Sequence, residues 1–270
     1  MSVDRIGALV GKELREFRAN PGAVVPVLLL IVICTFLPFV VVYVVPLLTG
    51  QSITSDRSMQ QVVSAARVNL PGLADLDDAG ATQSFLFQQF LLLFLIAPIV
   101  GAVSLAAFSV VGEKQGRTLE PLLTTPVTTP ELLVAKAVAS FLPSLTVEAL
   151  GIVAYFGLIA MLGEPGVLRS LFTVRTATLL GVLGPFASLT AMQATIAVSS
   201  RVNDPRSAQQ VSVLIVMPLV LMLVGQIGGA FFLTATSLLL LSVAVAAAWA
   251  LLVMFSVALF ERETVLTRWK

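Results

Sequence analysis

The 270-residue sequence contains no histidine and only one cysteine. Without histidine, the chain lacks the commonest general base, the commonest metal ligand and the side chain that titrates near neutral pH. Cys34 has no second cysteine with which to form an intrachain disulfide, and its apolar surroundings in the sequence suit a small packing residue. Catalysis would have to depend on carboxylates, hydroxyls and lysine, so we expect that the chain is not an enzyme.

Charged residues are also scarce, at 11% of the chain, and they are balanced. Asp and Glu number 15 against 16 Lys and Arg, a formal net charge of +1. This balance gives no reason to expect a nucleic-acid partner. Hydrophobic residues make up 57% of the chain and the mean hydropathy is +0.99. These values lie far outside the range of soluble proteins and predict a membrane protein.

A phosphate-binding loop is missing too. The stretch from Gly7 to Lys12 comes nearest, but three residues separate its glycines where the motif needs four. Glu13 then occupies the place of the Ser or Thr that would bind Mg²⁺, and a carboxylate there would repel phosphate. We therefore expect no cofactor on this chain.

Six apolar runs are each long enough to cross a hydrocarbon core about 30 Å thick. The predicted spans are residues 24–48, 84–111, 137–162, 178–198, 211–233 and 237–260. The predicted fold is therefore an all-α polytopic membrane protein, with a six-helix transmembrane domain over residues 21–270. Three prolines in the first run, Pro26, Pro38 and Pro46, should bend it or shorten its helical part.

Residues 1–20 have the pattern of an amphipathic helix that lies in the membrane interface. Apolar residues recur at three- and four-residue spacing, from Val3 to Phe17, with charges on the other faces. A solvated charged leader is the alternative interpretation. Residues 49–83 are too long for a turn and should contain a short helix around Met59–Ala66. The three aspartates at 75, 77 and 78 lack the full ligand series of a calcium loop, which favours a solvated acidic turn.

Lys and Arg are distributed unevenly between the two sides of the predicted spans. Twelve fall on the side that holds both termini and the loop at 112–136, and four fall on the other. Cytoplasmic loops carry the excess of positive charge. We therefore predict a multi-pass protein of the cytoplasmic membrane, with both termini and the 112–136 loop in the cytoplasm and the 49–83 segment outside it.

The 112–136 loop reads GEKQGRTLEPLLTTPVTTPELLVAK and is the most informative stretch. Such a polar segment between apolar runs is expected to lie in water. Leu119, Leu122 and Leu123 form an apolar knob at helical spacing, and three prolines limit any helix there to about two turns. Thr128 and Glu131 then predict a capping box that restarts a helix.

These residues resemble the signature of the permease subunits of ABC-2 type transporters. The resemblance lies in Glu113-Lys114-x-x-Gly-x-Thr-Leu-Glu120-x-Leu-Leu-x-Thr-Pro126 and the Leu-Leu-x-x-Lys136 that follows. It implies a short cytoplasmic coupling helix that rests on a cytosolic ATPase, and a complex of two permease copies with two separate ATPase subunits, which bind the ATP and magnesium. The docking residues that it implies are Glu113, Gly116, Arg117, Thr118, Leu119, Glu120, Leu122, Leu123 and Pro126. A loop that only sets topology is the alternative.

The resemblance implies the permease subunit of an ATP-driven exporter. The alternative is a permease-like transmitter that relays the ATPase stroke to an extracytoplasmic partner without moving cargo, and residues 49–83 are large enough to receive such a partner. An ion-coupled transporter is a third interpretation, but it leaves the docking loop without a role.

Glu148 is the only formal charge well inside a predicted span. An unpaired carboxylate at that depth costs several kcal/mol, so the position is functional, or it holds a neutral structural glutamate, or the span is shifted. Gln193 and Gln226 are the candidate hydrogen-bond partners of Glu148. Gln88 and Gln89, which open the second run, are expected at the membrane interface.

Overall fold

The computed structural model describes residues 2–50, 57–116, 128–199, 202, 204–227 and 233–259. Regular structure in these ranges is helical throughout, without a strand. Five helical segments are long and apolar enough to cross a membrane: Pro21–Thr49, Asp78–Glu113, Pro130–Leu162, Val174–Ser199 and Ala235–Ser256. The prediction of an all-α polytopic membrane protein is confirmed.

We number the α-helices in chain order. They are α1 (Val3–Ala19), α2 (Pro21–Phe39), α3 (Val45–Thr49), α4 (Arg57–Asn69), α5 (Asp78–Phe90), α6 (Leu93–Gln115), α7 (Thr129–Leu162), α8 (Val167–Leu171), α9 (Val174–Thr178), α10 (Gly184–Ser199), α11 (Pro205–Ile227) and α12 (Ala235–Leu259). Two π-helical segments, Val40–Val44 and Leu179–Leu183, join α2 to α3 and α9 to α10.

The prolines of the first span were expected to bend it or to shorten its helical part. They do not shorten it. Helical structure continues to Thr49, through the π-helical segment Val40–Val44. A proline ring clashes with the carbonyl group four residues before it, and this π-helical segment lies directly before the turn that contains Pro46. The wider π-turn makes room for the ring. Leu179–Leu183 stands in the same relation to Pro185.

The second and third spans differ from their predicted boundaries. The second helical segment begins at Asp78, because the Asp77 carboxylate accepts a hydrogen bond from the Gly80 amide at 2.9 Å and caps α5. A turn at Leu91–Leu92 divides this segment into α5 and α6. The third segment, α7, begins at Thr129, because the predicted capping box forms and starts the helix before the apolar run.

The region of the fifth predicted span is occupied by α11. This helix begins at Pro205, where the Asp204 carboxylate accepts a hydrogen bond from the Ser207 amide at 2.9 Å. No charged residue lies in the stretch 211–227 of this helix. Five helical segments of the described residues are candidate spans, and the remaining predicted span, over residues 211–233, stays a prediction, because several side chains of α11 and residues 228–232 lie outside the described ones.

A small helical unit covers one end of the bundle. Val63 and Ala66 of α4 pack against Leu73 and Phe85 in a separate apolar cluster. The helix lies where the sequence predicts one. Arg67 of α4 binds the Asp78 carboxylate at 2.9 Å and the Leu76 carbonyl at 3.1 Å.

The centre of the bundle is formed by α6 and α10, whose side chains are mostly buried, whereas α12 is mostly exposed. The main core also contains an aromatic cluster around Tyr155 of α7, which is fully buried and contacts Phe39, Phe87 and Phe94. The Tyr155 hydroxyl donates to the Phe87 carbonyl at 2.9 Å.

A glycine permits α7 to approach α2 closely, since a Cβ atom at Gly151 would collide with Ile31.

Replacement of Gly151 by valine should therefore destabilise the protein by about 1–3 kcal/mol, the usual cost of overpacking a close-packed core. The added atoms would collide with Ile31, and Phe94 Cε1 lies only 3.4 Å from the new Cβ position. The measurement is the thermal unfolding midpoint in detergent. Gly157→Val is the matched control on the same helix, because nothing lies within 4 Å of a Cβ atom there. Equal midpoints for the two variants would contradict the prediction.

Candidate functional site

Most of the predicted docking loop lies outside the described residues. Arg117, Thr118, Leu119, Glu120, Leu122, Leu123 and Pro126 all fall within 117–127. Their docking role therefore stays a prediction. The described residues do include the two helices that lead into and out of this loop. Glu113 and Gly116 lie at the end of α6, and Thr128 caps the start of α7.

The N-terminal helix α1 contacts both of these flanking helices through its apolar face. Phe17 is buried against Leu105 of α6 and Ala139 of α7, together with Ala23 of α2. The amphipathic pattern of the sequence places Phe17 on the buried face of the helix. The contacts of α1 therefore join the two sides of the loop, although residues 117–127 separate those sides in the chain.

Four charged side chains complete this junction, and we call them the charge cluster: Lys12 and Glu13 of α1, Glu113 of α6 and Lys136 of α7. Lys136 Nζ lies 2.9 Å from Glu13 Oε1 and 2.8 Å from Glu113 Oε2. Lys12 Nζ lies 2.6 Å from Glu113 Oε1. Lys136 also donates to the carbonyl and the hydroxyl of Ser109, at 3.0 and 2.9 Å. Two acids and two bases leave the cluster without net charge.

Three members of the charge cluster are almost inaccessible to solvent. The exposed fractions are 2% for Glu13, 3% for Glu113 and 2% for Lys136. Lys12 lies at the edge, where Glu16 is a further 3.4 Å neighbour. Burial tends to lower the pKa of Lys12, but its hydrogen bond to Glu113 and the nearby carboxylates raise that pKa above its ordinary value. Lys12 is therefore protonated at neutral pH, as the pairing requires.

A second contact attaches the beginning of α1 to the beginning of α7. The Ser2 amide donates to Glu131 Oε1 at 2.7 Å, and Arg5 lies 3.9 Å from Glu131 Oε2. The same Glu131 carboxylate accepts from the Thr128 amide at 2.9 Å in the capping box. One carboxylate thus serves both as a helix cap and as an attachment point for α1.

The expectation that the charges of the 112–136 loop lie in water is wrong for Glu113, Glu131 and Lys136, which are buried. Their partners come from α1, far away in sequence, and the sequence analysis missed Lys12 and Glu13. The spacing of apolar residues along α1 did indicate that one of these charges is buried. The expectation that the charges of α1 lie on its other faces is wrong for Glu13, which falls on the apolar stripe, four residues before Phe17, where a charge requires a buried partner.

Glu148 lies near the middle of α7 and is 3% exposed. Its Oε1 atom has no hydrogen-bond partner among the described residues. The facing element is the start of α10, where a Cβ atom on Gly184 would lie 3.5 Å from Glu148 Oε1. The π-helical segment Leu179–Leu183 ends directly before Gly184, and π-turns inside helices occur frequently at functional sites.

The glutamines predicted to hold Glu148 do not do so in the described structure. Gln226 donates to Gln89 Oε1 at 3.4 Å, and Gln193, buried in α10, forms no hydrogen bond to Glu148. Gln88 and Gln89 are buried among the helices of the bundle. The early start of α5 places both residues in its final turns, and their position at the membrane interface stays a prediction.

Arg175 of α9 belongs to a second group of hydrogen-bonded polar residues. In the sequence analysis Arg175 contributed only to the count of positive charges on each side of the membrane. Its Nε atom donates to the Leu233 carbonyl at 2.8 Å, and its Nη1 atom donates to Gln88 Oε1 at 3.2 Å. The Gln88 amide in turn lies 3.4 Å from the Ser170 carbonyl. These bonds join α5, α8 and α9 to Leu233, two residues before α12.

Comparison with known families gives one match. A family model described as ABC-2 family transporter protein matches residues 8–260, which include the charge cluster, the 117–127 loop and Glu148. The comparisons found no matching curated protein and no matching solved structure.

Proposed function

Because this chain belongs to the ABC-2 family of transporter proteins, we propose that it is the permease subunit of an ATP-driven exporter. The family match over residues 8–260 is the observation that carries the proposal. The chain is a multi-pass membrane component of a transporter. In the proposed complex, two copies span the cytoplasmic membrane with six helices each, and separate cytosolic ATPase subunits bind ATP and magnesium.

We place the contact with the ATPase at the 117–127 loop, on the strength of its sequence. The helices on either side support this role. The charge cluster joins α6 and α7 through α1, so a push on the loop would move three helices as one body. With 34 residues, α7 extends about 50 Å at 1.5 Å per residue, which is long enough to carry the displacement across the membrane.

Co-purification tests the proposal directly. The tagged chain is expressed together with a candidate ABC ATPase from the same genome and extracted in mild detergent. We expect the ATPase to elute with this chain, and its hydrolysis rate to change when the complex is placed in lipid. An ATPase that never elutes with the chain, whichever subunit carries the tag, would contradict the proposal.

The proposed orientation has both termini in the cytoplasm. A reporter that is active only in the cytoplasm should therefore work after Lys270 or near Thr125 and fail near Asp77. The reason is the excess of Lys and Arg on the side of the termini. Reporter activity near Asp77 would contradict both the orientation and the six-span arrangement.

Glu148→Gln should leave folding and ATPase binding intact and lower transport-coupled ATP hydrolysis several-fold. The amide keeps the shape and the hydrogen-bonding atoms of the side chain but cannot ionise, at a buried position where Oε1 has no partner. The measurements are the elution volume of the complex and its hydrolysis rate in lipid. Gln226→Asn is the control, because it changes a second buried polar side chain without removing a titratable group. Unchanged hydrolysis in Glu148→Gln would make Glu148 a structural residue.

The transmitter without cargo remains the second candidate function. Val62 and Val68 of α4 are 39% and 84% exposed, although this helix is not among the candidate spans. Exposed apolar side chains outside the spans suit a protein partner on that side. Cargo movement by the purified complex in vesicles, with no extracytoplasmic partner added, would exclude the transmitter.

A further inference from the structure

An apolar groove of about 670 Å³ lies between α1, α2 and α7. Leu14 and Phe17 of α1 form one wall, Leu28 of α2 forms another, and Thr146 and Val147 of α7 form the third. None of the four residues of the charge cluster lines the groove. The groove is therefore separate from the charge cluster, and it shares only Phe17 and Leu105 with the apolar contacts of α1 described above.

The groove faces the surroundings of the bundle and not its core. Leu28 is 45% exposed, and Val25 and Leu142, which also line the groove, are 56% and 54% exposed. Exposed apolar residues on the spans of a membrane protein face the hydrocarbon of the bilayer. The occupant of the groove must therefore be compatible with lipid on its open side.

One cation lines this otherwise apolar site. Arg18 is exposed at the end of α1 and forms no ion pair with any described residue. A long apolar slot with a single free guanidinium beside it matches an acyl chain attached to an anionic headgroup. Basic residues on an amphipathic helix attract anionic lipids by the same combination of charge and apolar contact.

We propose that this groove is a binding site for one anionic phospholipid, from the leaflet in which α1 lies. An acyl chain fills the slot between α1, α2 and α7, and the phosphate contacts Arg18. The lipid contacts α1 at residues outside the charge cluster, so that the helix is held between protein and lipid. This site does not depend on the exporter proposal, because any membrane protein with this groove could use it.

Native mass spectrometry of the purified chain, incubated with phosphatidylglycerol or with phosphatidylcholine, measures the bound lipid. Arg18→Gln should lower the retained phosphatidylglycerol about fivefold, the effect of one basic residue near an anionic lipid, and leave phosphatidylcholine unchanged. Arg15→Gln is the matched control, because Arg15 is exposed on the same helix and does not line the groove.

A second pair of variants tests the slot itself. Thr146→Phe fills the groove and should lower the retention of both lipids, whereas Val153→Phe adds the same ring at a 69% exposed position of α7 away from the groove. The thermal unfolding midpoint of each variant shows that it is folded. Equal retention in Arg18→Gln and Arg15→Gln would overturn the proposal. A Thr146→Phe variant that loses dimers but keeps its lipid would also overturn it and assign the groove to a second copy.

Discussion

Lys136→Met is expected to destabilise the protein by about 3–5 kcal/mol, the usual cost of removing one partner from a buried ion pair. Lys136 is the ammonium shared by Glu13 and Glu113, and all three side chains are no more than 3% exposed. Without it, two carboxylates lie close together in a medium of low dielectric constant, and only Lys12 at the edge remains to compensate them.

Two measurements check this expectation. The thermal unfolding midpoint in detergent should fall, and trypsin should cut at Arg15 and Arg18 faster than in the wild-type protein, because α1 loses its attachment to α7. Glu16→Gln is the control, since Glu16 is 51% exposed at its side chain and its pair with Lys12 is worth at most about 1 kcal/mol. Equal effects of Lys136→Met and Glu16→Gln would show that the charge cluster does not hold α1.

A compensated variant separates loss of charge balance from loss of packing. Adding Glu13→Gln and Glu113→Gln to Lys136→Met removes both carboxylates that share the deleted ammonium. Complete replacement of a buried ionic network is often close to neutral for stability. The triple variant should therefore recover most of the lost stability. No recovery would mean that the lysine side chain contributes through packing and not through charge.

Leu122→Ala/Leu123→Ala is expected to weaken ATPase binding about thirtyfold or more. Each leucine is worth about 1–3 kcal/mol if it is buried in the interface, and every 1.4 kcal/mol changes an affinity tenfold. A few apolar residues with a polar rim commonly dominate such contacts. Glu120→Lys should impair coupling more than Glu120→Gln, because a new positive charge would repel a basic partner surface.

The measurement is the amount of ATPase that co-purifies with each variant, together with its hydrolysis rate. Leu47→Ala/Leu48→Ala is the matched control, because these adjacent leucines are 82% and 81% exposed at the other end of a span. Both double variants should reach the membrane in normal amounts. Undiminished co-purification of the Leu122→Ala/Leu123→Ala variant would remove the basis for a docking role of the loop.

The fold class could be predicted from the sequence because the features that determine it are local. Long apolar runs, the capping box at Thr128 and the amphipathic spacing of α1 depend only on neighbouring residues, and each appears in the structure. The helix boundaries were less accurate where a polar residue extends a helix. The cap formed by Asp77 starts α5 before the apolar run begins, a contribution that hydropathy alone does not register.

The polar contacts of the candidate site were not predictable in the same way, because they join residues that are far apart in the chain. Lys136 and Glu13 are 123 positions apart, and nothing near either residue identifies the other. The same limit explains why Gln226 was assigned to Glu148 when its partner is Gln89. A charge on an apolar helical stripe shows that a buried partner is required, but only the packing of the helices determines which residue it is.

The 123-position separation of Glu13 and Lys136 also sets an order of events during synthesis. At 5–20 residues per second, Glu13 is made about 6–25 s before Lys136. Throughout this interval the carboxylate has no Lys136 ammonium to pair with, and its burial would be costly. We therefore expect α1 to stay in contact with water while the first two membrane-spanning segments are synthesised. The charge cluster can form only after Lys136 of α7 has been made, so the attachment of α1 follows the synthesis of the third segment.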